Sequence, residues 1–257
     1  KRPSDEGRDL GATSSSPENA HRPTSPPVAS DRKSLKHLLF LRPSLHVRLF
    51  YAWFRANYQR GTMGELVPFI KEAVAKNPGS PAFVAALTLA YVEGDRPDDA
   101  LQLLEEFAAT GFDLPMDAAW FTGMVTYSNA AIECRASQFA LPLFDQLAPW
   151  ADQWATTSGP TVQGPVSTTL GGLATLLGRY DQADVYFTHS AESSNRASAK
   201  FFCARTHLLW GRMLVERAGA GDVERARDLF TMALTSAVAN GYGSVERRAA
   251  TALQDLG

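Results

Sequence analysis

From Leu38 onward, apolar residues recur at helical spacing along nearly the whole chain. Leu45, Leu49, Phe50, Trp53 and Phe54 share one face of a helix predicted over 44–59, which Gly61 closes. Its partner is predicted over 64–77 and stops at Asn77, Pro78 and Gly79, because proline cannot continue the hydrogen-bond ladder. The next pair covers 80–93, with Phe83, Leu87, Ala90 and Tyr91 inward, and 97–110, with Ala100, Leu101, Leu104, Phe107 and Ala108 inward. Further pairs follow at 115–133 with 136–154, 166–177 with 180–194, and 198–217 with 222–239. A last helix over 244–255, rich in Arg and Ala, is expected to cap the array with a polar face. The Thr, Ser, Gly and Pro residues of 156–165 read as a plain connection, and no strand pattern competes with the helical one.

Within this pattern a short frame comes round five times, each time after a break and at the start of a helix. Asp95-Arg96-Pro97-Asp98-Asp99-Ala100 with Leu104, Gly178-Arg179-Tyr180-Asp181-Gln182-Ala183 with Phe187, and Gly221-Asp222-Val223-Glu224-Arg225-Ala226 with Phe230 are the clear copies. Weaker ones begin at Arg135, where Ala140 precedes Phe144, and at Gly61, where Leu66 precedes Ile70. The starts lie about 34 to 43 residues apart, the length of one helical hairpin. The acid faces the positive end of the helix dipole, the Ala permits close approach, and the apolar residue one turn later fills the gap. The expected fold is therefore all-α, an α-solenoid of about five helix-turn-helix repeats with a capping helix, curved around a concave surface.

Composition narrows the picture at its edges. Residues 1–36 are rich in Ser, Pro and charge and poor in large apolar side chains, so they are expected to be a disordered tail or linker ahead of a repeat domain over 37–257. With a formal net charge of -2, nothing points to a nucleic-acid partner. The two cysteines, Cys134 and Cys203, read as reduced core thiols and suggest a cytoplasmic setting. No apolar run approaches the roughly 18 to 20 residues of a membrane span. The chain begins at Lys1 rather than Met and is read as a piece of a longer protein.

These repeats resemble tetratricopeptide (TPR) repeats, although the tryptophan and glycine signature of the strict motif is degenerate. Four segments look like the C-terminal repeat region of large bacterial signal-transduction ATPases: Gly64 to Pro78, Leu177 to Phe187, Ala204 to Leu214, and Gly221 to Ala226. In that family the repeats follow a nucleotide-binding core attached to a class III nucleotide cyclase domain or, in LuxR-type regulators, accompanying a DNA-binding helix-turn-helix. The resemblance covers about 44–252 and implies a protein-interaction or effector-sensing part of such a protein. The chain itself has no Gly-x-x-x-x-Gly-Lys-Ser/Thr phosphate loop and no recognisable cyclase segment, so no cofactor is expected.

Three groups of residues could carry chemistry. Cys203 and His207, four apart on a predicted helix, share a face as a thiolate-imidazole or metal pair would, amid core-like neighbours. The stretch from Gly159 to Pro165 could offer backbone donors to an anion, although it lacks a following Lys. Arg205 and Arg212, two turns apart, together with Tyr127 and Asn129, are candidates to grip an acidic group or peptide terminus in the concave groove. The function expected is a non-catalytic interaction or sensing module whose partner is a protein, a peptide or a neighbouring ATPase domain, with neither nucleic acid nor membrane as a partner of this chain. The alternatives are a free-standing TPR adaptor and an enzyme built on Cys203 and His207.

Overall fold

Glycine, or a residue forced into the glycine-like region, stands at every frame start. Gly61, Asp95, Arg135, Gly178 and Gly221 all have positive φ, between 55° and 78°. A left-handed residue at this point lets one helix end and the next begin at a sharp angle. The computed structural model describes residues 43–117, 119–156 and 161–257; the expected tail at 1–36 and the first residues of the expected repeat domain lie outside them.

Among the described residues the structure is mostly helical. The helices are α1 (Pro43–Arg60), α2 (Val67–Lys76), α3 (Pro81–Glu93), α4 (Pro97–Ala109), α5 (Trp120–Glu133), α6 (Ala140–Leu147), α7 (Val166–Leu176), α8 (Tyr180–Arg196), α9 (Lys200–Arg217), α10 (Asp222–Asn240) and α11 (Gly243–Asp255). Proline opens α3 and α4, where its missing N–H costs nothing. The Ala slots at 100, 140, 183 and 226 and the apolar slots at 70, 104, 144, 187 and 230 are all buried.

Two helices are shorter than their apolar spacing suggests. The expected 115–133 helix starts only at Trp120, because Phe112 turns left-handed and Asp117 Oδ1 accepts a bond from the Ala119 N–H, which holds a turn. The expected 136–154 helix is reduced to α6 between 3₁₀ turns at Ser137–Phe139 and Ala148–Trp150, with Pro149 ending the ladder.

The plain connection expected at 156–165 is corrected: it belongs to an antiparallel pair of strands, β1 (Trp154–Thr156) and β2 (Val162–Pro165). Strands of three and four residues are too short to show a period-two pattern beside prolines and glycines. Gly164, at φ 109°, lies so close to the Phe202 ring that an added Cβ would stand 2.5 Å from Cδ1. Hairpin and α9 are thereby packed together.

Odd-numbered helices form one layer: α3 touches α5, α5 touches α7, α7 touches α9, and α9 touches α11. The even-numbered helices each pack on their neighbours in sequence. Close approach is set by small residues. A Cβ on Gly171 would meet the Phe187 ring, and one on Gly211 would meet Phe230 at 2.5 Å. Gly211→Ala should therefore cost about 1–3 kcal/mol by overpacking, seen as a lower urea midpoint with unchanged slope.

The last helix does not simply cap the array. α11 returns to α1, joining residues nearly two hundred positions apart in sequence. Arg247 Nη1 donates to the Gly61 carbonyl at 3.3 Å, Arg205 Nε donates to Tyr58 Oη at 3.0 Å, and the Tyr58 and Phe201 rings meet edge-on at 5.8 Å. With both ends joined, α3, α5 and α7 are buried on almost every face, and the interior must accommodate polar and charged side chains.

Candidate functional site

Among the described residues a cleft of about 750 Å³ opens between the C-terminal ends of α3, α5 and α7, the C-terminal half of α9, and α11, with Phe230 of α10 in its wall. Its walls are apolar at Val92, Leu209, Phe230 and Ala252. Arg135 Nη1 and Glu216 Oε1 pair across its rim at 2.6 Å. At its base sits Glu133, its side chain only 6% exposed, which accepts a hydrogen bond from Arg212 Nη1 at 2.9 Å and lies 3.4 Å from Arg248 Nε. Arg248 also reaches across to Glu93, whose side chain is wholly buried, with Nη1 2.8 Å from Oε1. That contact is close but poorly directed as a hydrogen bond, so we read it as an ion pair held by charge. Arg248 Nη1 is anchored further by the Ser244 hydroxyl at 2.6 Å.

Glu93 and Glu133 differ in protonation behaviour for a physical reason. Burial pushes both carboxyls up. For Glu133 the fields of Arg248, Arg212 and Arg205 outweigh burial and hold it down to about 2. Glu93 has Arg248 as its nearest cation and Glu133 as a repelling neighbour, so burial wins and its carboxyl is raised. Arg248 stays charged, because the two carboxylates more than offset its burial. The base of the cleft is a buried ion network joining α3, α5, α9 and α11.

Of the four expected groove residues, two meet in this network. Arg212 lines the cleft and binds Glu133. Arg205, 5% exposed, lies behind it within the field of Glu133. Tyr127 is instead stacked on Phe107 of α4, with centroids 4.1 Å apart, and burial pushes its hydroxyl pKa up. Asn129 faces α7, accepting from Thr169 Oγ1 at 3.3 Å. Neither Tyr127 nor Asn129 lines the cleft. Sequence reasoning does not single out Glu93, Glu133 or Arg248. The one available signal is Glu93, a carboxylate closing an otherwise apolar helix.

Cys203 Sγ lies 3.8 Å from His207 Nε2 and donates to Asn195 Oδ1 at 3.3 Å. Burial raises the thiol and lowers the imidazole, so both are held in their neutral forms. Among the described residues, no group of three or more His, Cys, Asp or Glu is placed to hold a metal. Gly159 and Pro160 of the expected anion loop lie outside the described residues, and the Val166 N–H just beyond Pro165 is already given to the Gln153 carbonyl at 3.0 Å. Among the described residues no helix is long and apolar enough to cross a membrane. No protein-family model, curated protein or solved structure matches the chain.

Proposed function

We propose that this chain is a non-catalytic binding module, a TPR-like α-solenoid of about five helical hairpins whose ends meet, working in the cytoplasm as part of a bacterial signalling or transcription-regulating ATPase. The resemblance of its repeats to the C-terminal region of such proteins suggests the setting. The observation that carries the binding role is the cleft: apolar walls that include Val92, Leu209, Phe230 and Ala252 over a base of buried ion pairs. A protein segment or small effector seated there touches α9 and α11 together, and through Glu133 and Arg248 it bears on α3 and α5. Binding that prefers one spacing of these helices shifts the population of that spacing, which is what a sensing module requires.

The test is affinity capture from an extract of the source cells, with the full chain and its Ala252→Trp variant as parallel baits. Ala252 is half-buried in the cleft wall, so an indole there occupies the cleft while leaving the ion network in place. The expected result is an ATPase, cyclase or DNA-binding regulator retained by the unaltered chain and lost with the variant, with circular dichroism unchanged. Unrelated proteins sharing one short motif and lost in the same way would favour the adaptor. Identical retention by both baits would remove the cleft from the account.

A further inference from the structure

Where α1 closes on α9, two arginines are buried without an acidic partner of their own among the described residues. Arg55 is 9% exposed, and its guanidinium carbon lies 5.3, 4.8 and 4.5 Å from the ring centroids of Tyr58, Phe201 and Phe202. Its Nε and Nη2 have neither solvent nor, among the described residues, a hydrogen-bond acceptor. Arg205 spends Nε on the Tyr58 hydroxyl and leaves Nη2 equally buried and unpartnered there. Tyr58 thus links the two, one guanidinium over its ring and the other on its oxygen.

Rings alone are a weak answer to such charge. A cation over an aromatic face keeps part of its stabilisation, but its N–H groups still need acceptors, and a buried charge without a counter-ion is strongly disfavoured. Nearby acids do not supply one. Arg55, Arg205, Arg212 and Arg248 make four cations against Glu93 and Glu133, and both carboxylates are already engaged by Arg248 or Arg212. Burial with the repulsion of Arg205 lowers Arg55 to about 9, the direction expected of a cation short of an anion.

We propose that Arg55 and Arg205 hold an oxyanion, the carboxylate or phosphate group of a small molecule, at the seam between α1 and α9. The planar forks of two guanidiniums suit such a group, which would accept from Arg55 Nε and Nη2 and from Arg205 Nη2. It would fasten α1 to α9, so its binding would be read as tighter closure. This seam is distinct from the cleft and does not depend on what the cleft binds.

The experiment is thermal unfolding of the full chain at pH 7 in sodium phosphate, sodium acetate or sodium chloride at matched ionic strength. Phosphate or acetate should raise Tm by roughly 3–5 °C for each tenfold increase above its Kd, with chloride far less effective, and whichever acts identifies the anion class. Arg55→Met keeps the bulk within the aromatic cage and removes the charge. It should start from a higher Tm in chloride and lose the oxyanion response, whereas a general salting-out effect of phosphate would persist in it. An unaltered chain that responds to all three salts alike, or a variant that keeps the full response, would overturn the site.

Discussion

Glu133→Ala should destabilise the protein by about 3–5 kcal/mol, the cost of removing one partner from a buried ion network and leaving the others uncompensated. The loss exceeds that of a surface pair because Arg212 pairs with this buried carboxylate and Arg248 shares it with Glu93. The pH dependence carries the same signature. Glu133 has its folded pKa held down to about 2, below the unfolded carboxyl value, so its contribution is fully present above the ordinary carboxyl range and is lost as pH falls through that range towards 2. Glu93 works in the opposite sense. Its raised folded pKa means that the folded state keeps the proton more readily, so this group gives up stability as pH rises past the ordinary carboxyl range. Urea titrations from pH 2 to 7 should show the acid-side loss in the unaltered protein and a much flatter profile in Glu133→Ala. Equal slopes in the two would separate Glu133 from the network.

Phe187→Ala should cost a similar amount, about 3–5 kcal/mol, for a different reason. Phe187 is fully buried, and its ring fits against the bare backbone of Gly171 and lies 6.4 Å from Trp210. Truncation opens a cavity between α7, α8 and α9, so the loss should appear as a lower urea midpoint without a change of slope. Phe187→Leu, which keeps most of the volume, should lose much less. A cost for Phe187→Ala below about 1 kcal/mol would mean that the α7–α8 packing rearranges freely.

The place of Phe187 is legible in the sequence because local chemistry fixes it. The frame that contains it combines a break residue, an acid in the first turn, an Ala and an apolar residue one turn on, and each acts over a few positions. The same holds for Leu104, Phe144 and Phe230, and for helix ends such as Glu93 and Lys76 that glycine or proline signals mark within a residue or two. β1 and β2 escape such reading because three or four residues beside Pro160 and Pro165 carry no period of their own. The ion network escapes it for a different reason. Glu133 and Arg248 are 115 positions apart and meet only because α11 turns back to α1, a closure that no local period encodes. A groove at Tyr127 and Asn129 presumes that an inner helix keeps one face open, whereas closure buries α5 on nearly all sides. The two-turn spacing that marks Arg205 and Arg212 reflects their shared approach to Glu133.

Hydrogen exchange measured on the full chain alone and with the partner recovered by the Ala252-dependent capture tests the binding cleft most directly. Exchange should slow chiefly in the C-terminal half of α9 and in α11, with a smaller effect at the ends of α3 and α5 that the ion network joins. Protection that leaves α9 and α11 unchanged and falls on the even-numbered helices would place the binding surface on the opposite layer and contradict it.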